Sequence, residues 1–351
     1  MKQEALEAVT WKRPAGLAGG AHDFQPGAPA PKVRILLLLP RTPVPMSVLF
    51  PPALQAGPRV ALVSPARKIS AAELAPAIAT LQSWGLNVVL GDSIAGEHHQ
   101  FAGDDDLRRR DFQQQLDDPS IRAILCARGG YGTARIVDGL DFGRFAQAPK
   151  WVAGFSDVTV LNSHLLALGH ASIHGVMPVL FHQEGGERAL ETLRRALFGE
   201  AFQPIATPAH PLNRPGTATG ELVGGNLSLL QTITGTASQA SFAGRILFLE
   251  DLDEYLYHVD RMLLHLHRSG QLAGLAGLVV GHFSQMRDNA VPFGSTAEEI
   301  IDRYAQLYDF PVAYGFAIGH EADNLAVVVG QTVTLTVDAA CGRVVPRASF
   351  E

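Results

Sequence analysis

From Arg59 onward, short apolar runs alternate with helix-length amphipathic segments, and that alternation restricts the chain to βαβ units around a parallel sheet. Val60-Ala61-Leu62-Val63 reads as a buried strand, residues 71–84 as a helix stopped by Gly85, and Val88-Val89-Leu90 as a second strand. An acid-started, arginine-rich helix over 104–116 leads to the strand Ala123-Ile124-Leu125-Cys126. After Gly129-Gly130-Tyr131-Gly132 the spacing predicts a helix from Thr133 to about Val137, then a strand leading to Ser156. The expected fold class is α/β with a parallel sheet, and such sheets bind ligands beyond the carboxyl ends of their strands.

A length of 351 residues corresponds to about two domains. With 47% hydrophobic and 18% charged residues, most of the chain is expected to be globular. Residues 1–45 are rich in Pro, Gly and Ala without sustained periodicity and read as a disordered leader, or as an over-extended start before Met46. The apolar run 33–39 is too short to span a bilayer, and the prolines after it do not resemble a cleavage site. The formal charge of −6 gives no reason to expect nucleic acid or an anionic membrane as partner. Cys126 and Cys341 offer neither metal spacing nor a disulfide framework, which fits a reducing, cytoplasmic setting.

The N-terminal domain is expected over 58–182. A polar, Pro/Gly-punctuated crossing follows over 183–215, with one helix near 188–197, and a C-terminal domain over 216–351. The C-terminal part opens with Gly224-Gly225-Asn226-Leu227 and a helix through Ile233. Strand Ile246-Leu247-Phe248-Leu249 then runs into Glu250, followed by a helix over 258–268, strand Leu278-Val279-Val280 and a helix over 296–307. An apolar run over 312–318 ends at Gly319-His320. The alternating stretches Ala326-Val327-Val328-Val329 and Val333-Thr334-Leu335-Thr336-Val337 are expected to pair as a hairpin.

Chemistry concentrates at Gly154-Phe155-Ser156-Asp157, where an apolar run breaks and helical spacing resumes. A strand, a sharp elbow and a helix would lift the Ser156 hydroxyl and aim the helix's amide groups at a developing anion. The alternative is a serine capping an ordinary helix, because Val158 replaces the second glycine of the usual elbow pattern. A serine nucleophile needs a base, and the base needs an orienting group. Among thirteen histidines His320 stands out at a strand-to-loop transition, and Glu250 similarly terminates an apolar strand; both could also be ordinary strand-end polar residues. His164, His170, His174 and His182 read as core or domain-edge residues. His258, His265 and His267, near Asp251 and Asp253, form the one cluster that a metallohydrolase could use. The i, i+2 spacing of His265 and His267 splays them around a helix, so they share one ion poorly. Gly-Gly-x-Gly lacks the lysine of a phosphate loop. No cofactor and no metal is expected.

Taken together, Val63-Ser64-Pro65-Ala66, Arg128-Gly129-Gly130-Tyr131-Gly132, Gly154-Phe155-Ser156-Asp157, Gly224-Gly225-Asn226-Leu227, Leu249-Glu250-Asp251 with Asp260-Arg261, and Gly319-His320 resemble the LD-carboxypeptidase family of serine peptidases. That family includes muramoyltetrapeptide carboxypeptidase and a branch conferring self-immunity to microcin C. The resemblance covers about Pro58 to the C-terminus. It implies an N-terminal parallel-sheet nucleophile domain and a C-terminal β-rich α/β domain supplying Glu and His, in a homodimer. Carried over by motif, Ser156 is the nucleophile, Glu250 the orienting carboxylate and His320 the base. The backbone N–H groups of Asp157 and Gly130 are then the candidate oxyanion hole. Arg128 and Tyr131 are candidate substrate-binding residues; Arg128 and Arg261 could equally belong to structural ion pairs. The implied substrate is a murein tetrapeptide losing its C-terminal D-alanine. The alternatives are an immunity peptidase cleaving an aminoacyl-nucleotide amide and a non-catalytic two-lobe small-ligand binding protein.

Overall fold

The alternation from residue 59 onward folds as parallel strands whose neighbouring side chains point to opposite faces. A computed structural model describes residues 47–200 and 204–347; the expected leader, residues 1–45, lies outside them. β1 (Arg59–Val63) pairs in parallel with β2 (Asn87–Leu90), reached through α1 (Ala71–Ser83). α1 starts at Ser70 and Glu73, each of which satisfies the other's backbone N–H. α2 (Asp105–Asp117), capped by the Asp104 side chain, returns the chain to β3 (Ile121–Cys126) on the other side of β1. α3 (Gly143–Gln147), β4 (Trp151–Ala153), α4 (Thr159–Ala167) and β5 (Ser172–His174) complete the parallel part. Val60, Leu62, Leu125 and Trp151 bury one face with Leu74 and Leu81 of α1. Ala61, Val63, Ile124 and Val152 bury the other with Phe112 and Leu116 of α2 and with Leu161 and Leu165 of α4. Both faces are covered, as a parallel sheet requires.

The helix expected at 133–137 is instead two 3-10 turns, Thr133–Arg135 and Val137–Gly139. Its first backbone N–H, on Thr133, goes to the Asp157 carboxylate at 2.8 Å. Within the expected crossing, α5 (Glu187–Phe198) buries Ala189, Leu193, Ala196 and Leu197 on the α1 side of the sheet and ends at left-handed Gly199.

β6 (Ile205–Pro208) and the long β7 (Gly216–Asn226) open the second sheet. Then follow α6 (Leu227–Thr232), β8 (Ile246–Leu252), α7 (Leu256–Arg268), β9 (Gly277–Ser284), α8 (Ala297–Ala305) and β10 (Val312–Ala313). β11 (Val327–Val329), β12 (Thr332–Val337) and β13 (Cys341–Pro346) close the described chain. The order is β10-β9-β8-β7-β12-β13-β6. β7 serves both halves: residues 216–221, alternately exposed, pair antiparallel with β12, whereas buried residues 222–226 pair in parallel with β8.

The expected hairpin of β11 with β12 does not form. β11 leaves the second sheet and pairs antiparallel with β5, and β12 pairs with β7 and β13. Val327, Val328 and Val329 are all buried, which suits a strand covered on both faces rather than a half-exposed hairpin arm. The apolar run 312–318 is a strand only over β10. Leu161 and Leu165 of α4 share one core with Leu227, Leu230 and Phe248, so the two sheets are joined by packing as well as by β11. Among the described residues no helix is long and apolar enough to cross a membrane.

Candidate active site

Ser156 lies just beyond the carboxyl end of β4 with φ of +61°, a left-handed conformation costly for a residue with a Cβ. It opens a 3-10 turn, Ser156–Val158, that runs straight into α4. The elbow is held from behind: Asn162 Nδ2 donates to the Gly154 carbonyl at 3.0 Å, and Gly154 N–H donates to Ile173. Residues 151–155 are buried, whereas Ser156 is partly exposed. The strand–elbow–helix expectation therefore holds, and the serine is not a helix cap.

Asp157 ties the elbow to the glycine segment. Its buried carboxylate accepts the Thr133 N–H, and burial raises its pKa against the opposing hydrogen bonds from Thr133 and Gly132. Gly129 lies against the elbow, since a Cβ on it would come within 3.2 Å of Ser156 Cβ and 3.4 Å of Oγ. Gly130 has φ of +109° and is exposed under the side-chain stem of Arg67. Arg128 is half-buried with Nη1 3.9 Å from Glu73 Oε1, and Tyr131 is 49% exposed with its ring 6.1 Å from Phe101.

Sequence reasoning missed Arg108. This fully buried arginine donates from Nη1 to the Pro65 carbonyl at 2.5 Å and to the Gly132 carbonyl at 3.0 Å, and pairs with Asp105. It thus clamps the loop after β1 to the glycine segment after β3. The signal was its spacing: Phe112 and Leu116 set the buried stripe of α2, and one turn back along that stripe is position 108.

Glu250 was expected at a strand end, yet it lies within β8, wholly buried. Opposite it the β8–β9 register shifts, with Leu249 facing Val280 but Asp251 facing Phe283. Such bulges re-aim side chains. His320 Nδ1 is 2.7 Å from Glu250 Oε2. A carboxylate can only accept, so Nδ1 carries the hydrogen and Nε2 keeps its lone pair. The approach needs Gly319, with φ of +129°: a Cβ there would stand 2.9 Å from Glu250 Cβ. Asn324 Oδ1 accepts the Gly319 N–H at 2.9 Å and fixes the turn. The His320 ring packs on Phe155, the residue before Ser156, with centroids 4.8 Å apart. Ser156 Oγ and His320 form no hydrogen bond among the described residues; catalytic hydrogen bonds commonly tighten only once substrate is bound. Burial opposes protonation of His320, but the hydrogen bond and charge of Glu250, with Asp251 and Glu321, outweigh it and raise its pKa. Asp251 accepts from Asn226 Nδ2 and from Ser228 N–H; burial and then the Glu250 charge push its carboxyl up to about 7.

The other histidines scatter. His258 pairs with Glu254, His265 with Gln231 and His267 with Tyr308, so the three do not converge; no group of His, Cys, Asp and Glu among the described residues could hold a metal ion. Arg261 lies over the Tyr257 ring. His182 bonds Thr80 at the surface, and His164 and His170 are buried. His174 is fully buried between the Phe155 and Phe248 rings, with neither ring nitrogen hydrogen-bonded.

An α/β fold with a serine elbow at a strand end and a buried Glu–His pair defines a hydrolase-type site. Residues 60–175 match the family model for the LD-carboxypeptidase N-terminal domain, and residues 219–335 match that for the C-terminal domain. The chain belongs to the LD-carboxypeptidase family and is a peptidase. It is 35% identical over 291 residues to the probable murein peptide carboxypeptidase of Bacillus subtilis (strain 168), covering 80% of this chain and 89% of that one. The crystal structure of muramoyltetrapeptide carboxypeptidase from Oxalobacter formigenes superposes with TM-score 0.74 at 29% identity, covering 82% and 97% of the two chains. The microcin C7 self-immunity protein in complex with aspartyl sulfamoyl adenosine has the same fold, with TM-score 0.75 at 19% identity over 86% and 99%.

Burial pushes the His174 imidazole down to about 4. The unfolded chain takes up this proton near pH 6.5 while the native state stays neutral until about 4. The stability that neutral His174 contributes is therefore complete above pH 6.5 and is lost as pH falls toward 4. Urea unfolding of the wild type and of His174→Phe should diverge by roughly 3 kcal/mol between pH 7 and pH 4, the wild type losing more. The comparison cancels the contribution of Asp251. Parallel pH dependence of the two proteins would refute it.

Proposed function

We propose that the chain is a serine-type LD-carboxypeptidase that removes the C-terminal D-alanine from murein tetrapeptides during peptidoglycan recycling. Action in the cytoplasm and pairing as a homodimer belong to the same proposal. The observation that carries it is the buried 2.7 Å Glu250–His320 bond held next to a left-handed serine elbow. The names of the relatives, a murein peptide and a muramoyltetrapeptide carboxypeptidase, favour the substrate.

In this mechanism Ser156 Oγ attacks the carbonyl carbon of the penultimate residue, and His320 Nε2 takes its proton. Glu250 Oε2 holds the imidazole tautomer and stabilises the imidazolium that forms. The tetrahedral oxyanion accepts from the N–H groups of Asp157 and Gly130, aimed where negative charge develops. Collapse breaks the C–N bond, and the proton on His320 passes to the departing D-alanine amine. Water, deprotonated by the same imidazole, then releases the tripeptide from Ser156. Arg128 and Tyr131 line the approach to the glycine segment and contact the substrate. Metal chemistry has no part in this mechanism.

Ser156→Ala, His320→Ala and Glu250→Ala should each lower turnover by about 10⁴ to 10⁶, with His320→Ala also losing stability because it leaves the buried Glu250 carboxylate unpaired, and EDTA should leave wild-type activity unchanged. His320 acts in its neutral form, so the acid limb of kcat/KM should have its midpoint above the ordinary 6.5. In Glu250→Gln, burial is left unopposed by that charge and the limb should move to lower pH. A limb that stays in place, or activity abolished by EDTA and restored by zinc, would sink the mechanism.

Purified protein should release free D-alanine from L-Ala-D-Glu-meso-diaminopimelate-D-Ala and leave the corresponding pentapeptide intact, as read by mass spectrometry. A scissile bond between two D-residues would leave buried polar groups unpaired, a stronger filter than a missing methylene. Equal cleavage of both peptides contradicts the LD assignment. Rapid hydrolysis of an aminoacyl-nucleotide amide with an untouched tetrapeptide points to the immunity reaction instead.

A further inference from the structure

His174 ends β5, at the same edge of the first sheet as the Ser156 elbow that follows β4. Its ring touches both halves of the site. It stands edge-on to Phe248, two residues before Glu250 in β8, with centroids 5.0 Å apart, and edge-on to Phe155, the residue before Ser156, at 5.8 Å. The His320 ring lies against the same Phe155, and Glu250 and His320 both act on His174 electrostatically. The mechanism above gives this imidazole no task.

Two buried groups here have polar atoms without a partner among the described residues: both ring nitrogens of His174, and Oε1 of Glu250, whose Oε2 holds His320. A buried donor or acceptor left unpaired is costly. A phenylalanine would fill the space between the Phe155 and Phe248 rings without stranding two nitrogens, so packing alone does not account for a histidine there. The two groups are complementary. A neutral imidazole has one N–H to give, and a carboxylate with one oxygen engaged still has lone pairs on the other. We propose that His174 is a positioning residue for the catalytic pair, its ring N–H reaching Glu250 Oε1 through one bridging water molecule. Buried waters characteristically join polar groups that would otherwise be unpaired. The bridge gives each Glu250 oxygen its own partner and stops the carboxylate from rotating away from His320. No proton moves along it, because burial holds the His174 imidazole down to about 4 and the ring stays neutral. Its effect falls on the aim of the imidazole rather than on substrate binding. The kinetic consequence rests on the peptidase reading given above.

The test uses the full chain, the diaminopimelate tetrapeptide and two variants, with thermal melts at the assay pH reporting that both fold. His174→Phe keeps a ring but has no N–H, and its kcat should fall roughly tenfold to a hundredfold with KM within about twofold of wild type. His174→Gln still carries an N–H donor and should recover kcat to within about threefold of wild type. A kcat within twofold of wild type in His174→Phe, or a His174→Gln as slow as His174→Phe, overturns the assignment while leaving the peptidase reading intact. A crystal structure of the wild type that orders internal water should show one water within hydrogen-bond distance of a His174 ring nitrogen and Glu250 Oε1. Protein atoms filling that space overturn the assignment. A wild type that releases no D-alanine removes the peptidase reading, and the crystallographic result then decides the bridge by itself.

Discussion

The rest of the site depends on one hydrogen bond between two groups that water barely reaches. A carboxylate with no exposed side-chain surface is strongly disfavoured unless a charged or strongly polar partner satisfies it. Glu250 has such a partner in His320, whose own side chain is only 12% exposed. The pair fixes the imidazole tautomer, and with it the direction in which a lone pair is offered. Three local departures from regular structure serve that bond: the β8–β9 bulge, the left-handed Gly319 and the Asn324 side chain that secures the turn. None has a role in strand pairing itself. They are intelligible as the means of bringing an imidazole and a carboxylate together inside a protein.

The serine side is built differently, from backbone strain supported by a buried polar scaffold. Asp157 captures the Thr133 N–H, Arg108 holds the Pro65 and Gly132 carbonyls, and Asn162 holds Gly154. These contacts connect the carboxyl ends of β1, β3 and β4 into one platform. A left-handed serine, which by itself costs roughly 1–3 kcal/mol, persists only where its surroundings over-determine it in this way. The core shared by α4 and the second sheet then sets the distance between platform and imidazole.

Much of this was legible in the chain. Short apolar runs ending in a polar residue marked Ser156, Glu250 and His320, because burying a strand leaves few positions where a polar group can stand. The strands at 60–63 and 123–126 were equally plain, since continuous apolar runs of that length match a sheet covered on both faces. Other features were hidden because they depend on distant partners. Alternation in β12 specifies a half-buried strand but not which neighbour it pairs with, so β11 was assigned to the wrong sheet. Its unbroken Val327-Val328-Val329 was the contrary signal. Residues 133–137 have helical spacing, but the chain turns there in 3-10 geometry, with the Thr133 N–H held by the side chain of Asp157, 24 residues away. Arg108 was masked by its charge, since an arginine between acidic residues reads as a solvated face until the helical phase is counted.

The central claim is that Ser156 forms a covalent bond to substrate with His320 as its base. Intact-protein mass spectrometry of acid-quenched reactions, using the diaminopimelate tetrapeptide under single-turnover conditions, tests it most directly. The account predicts a transient adduct with the mass of the tripeptidyl group, mapped by peptide digestion to Ser156 and absent from Ser156→Ala. Turnover by Ser156→Ala at the wild-type rate, or an adduct mapped to another residue, would contradict it.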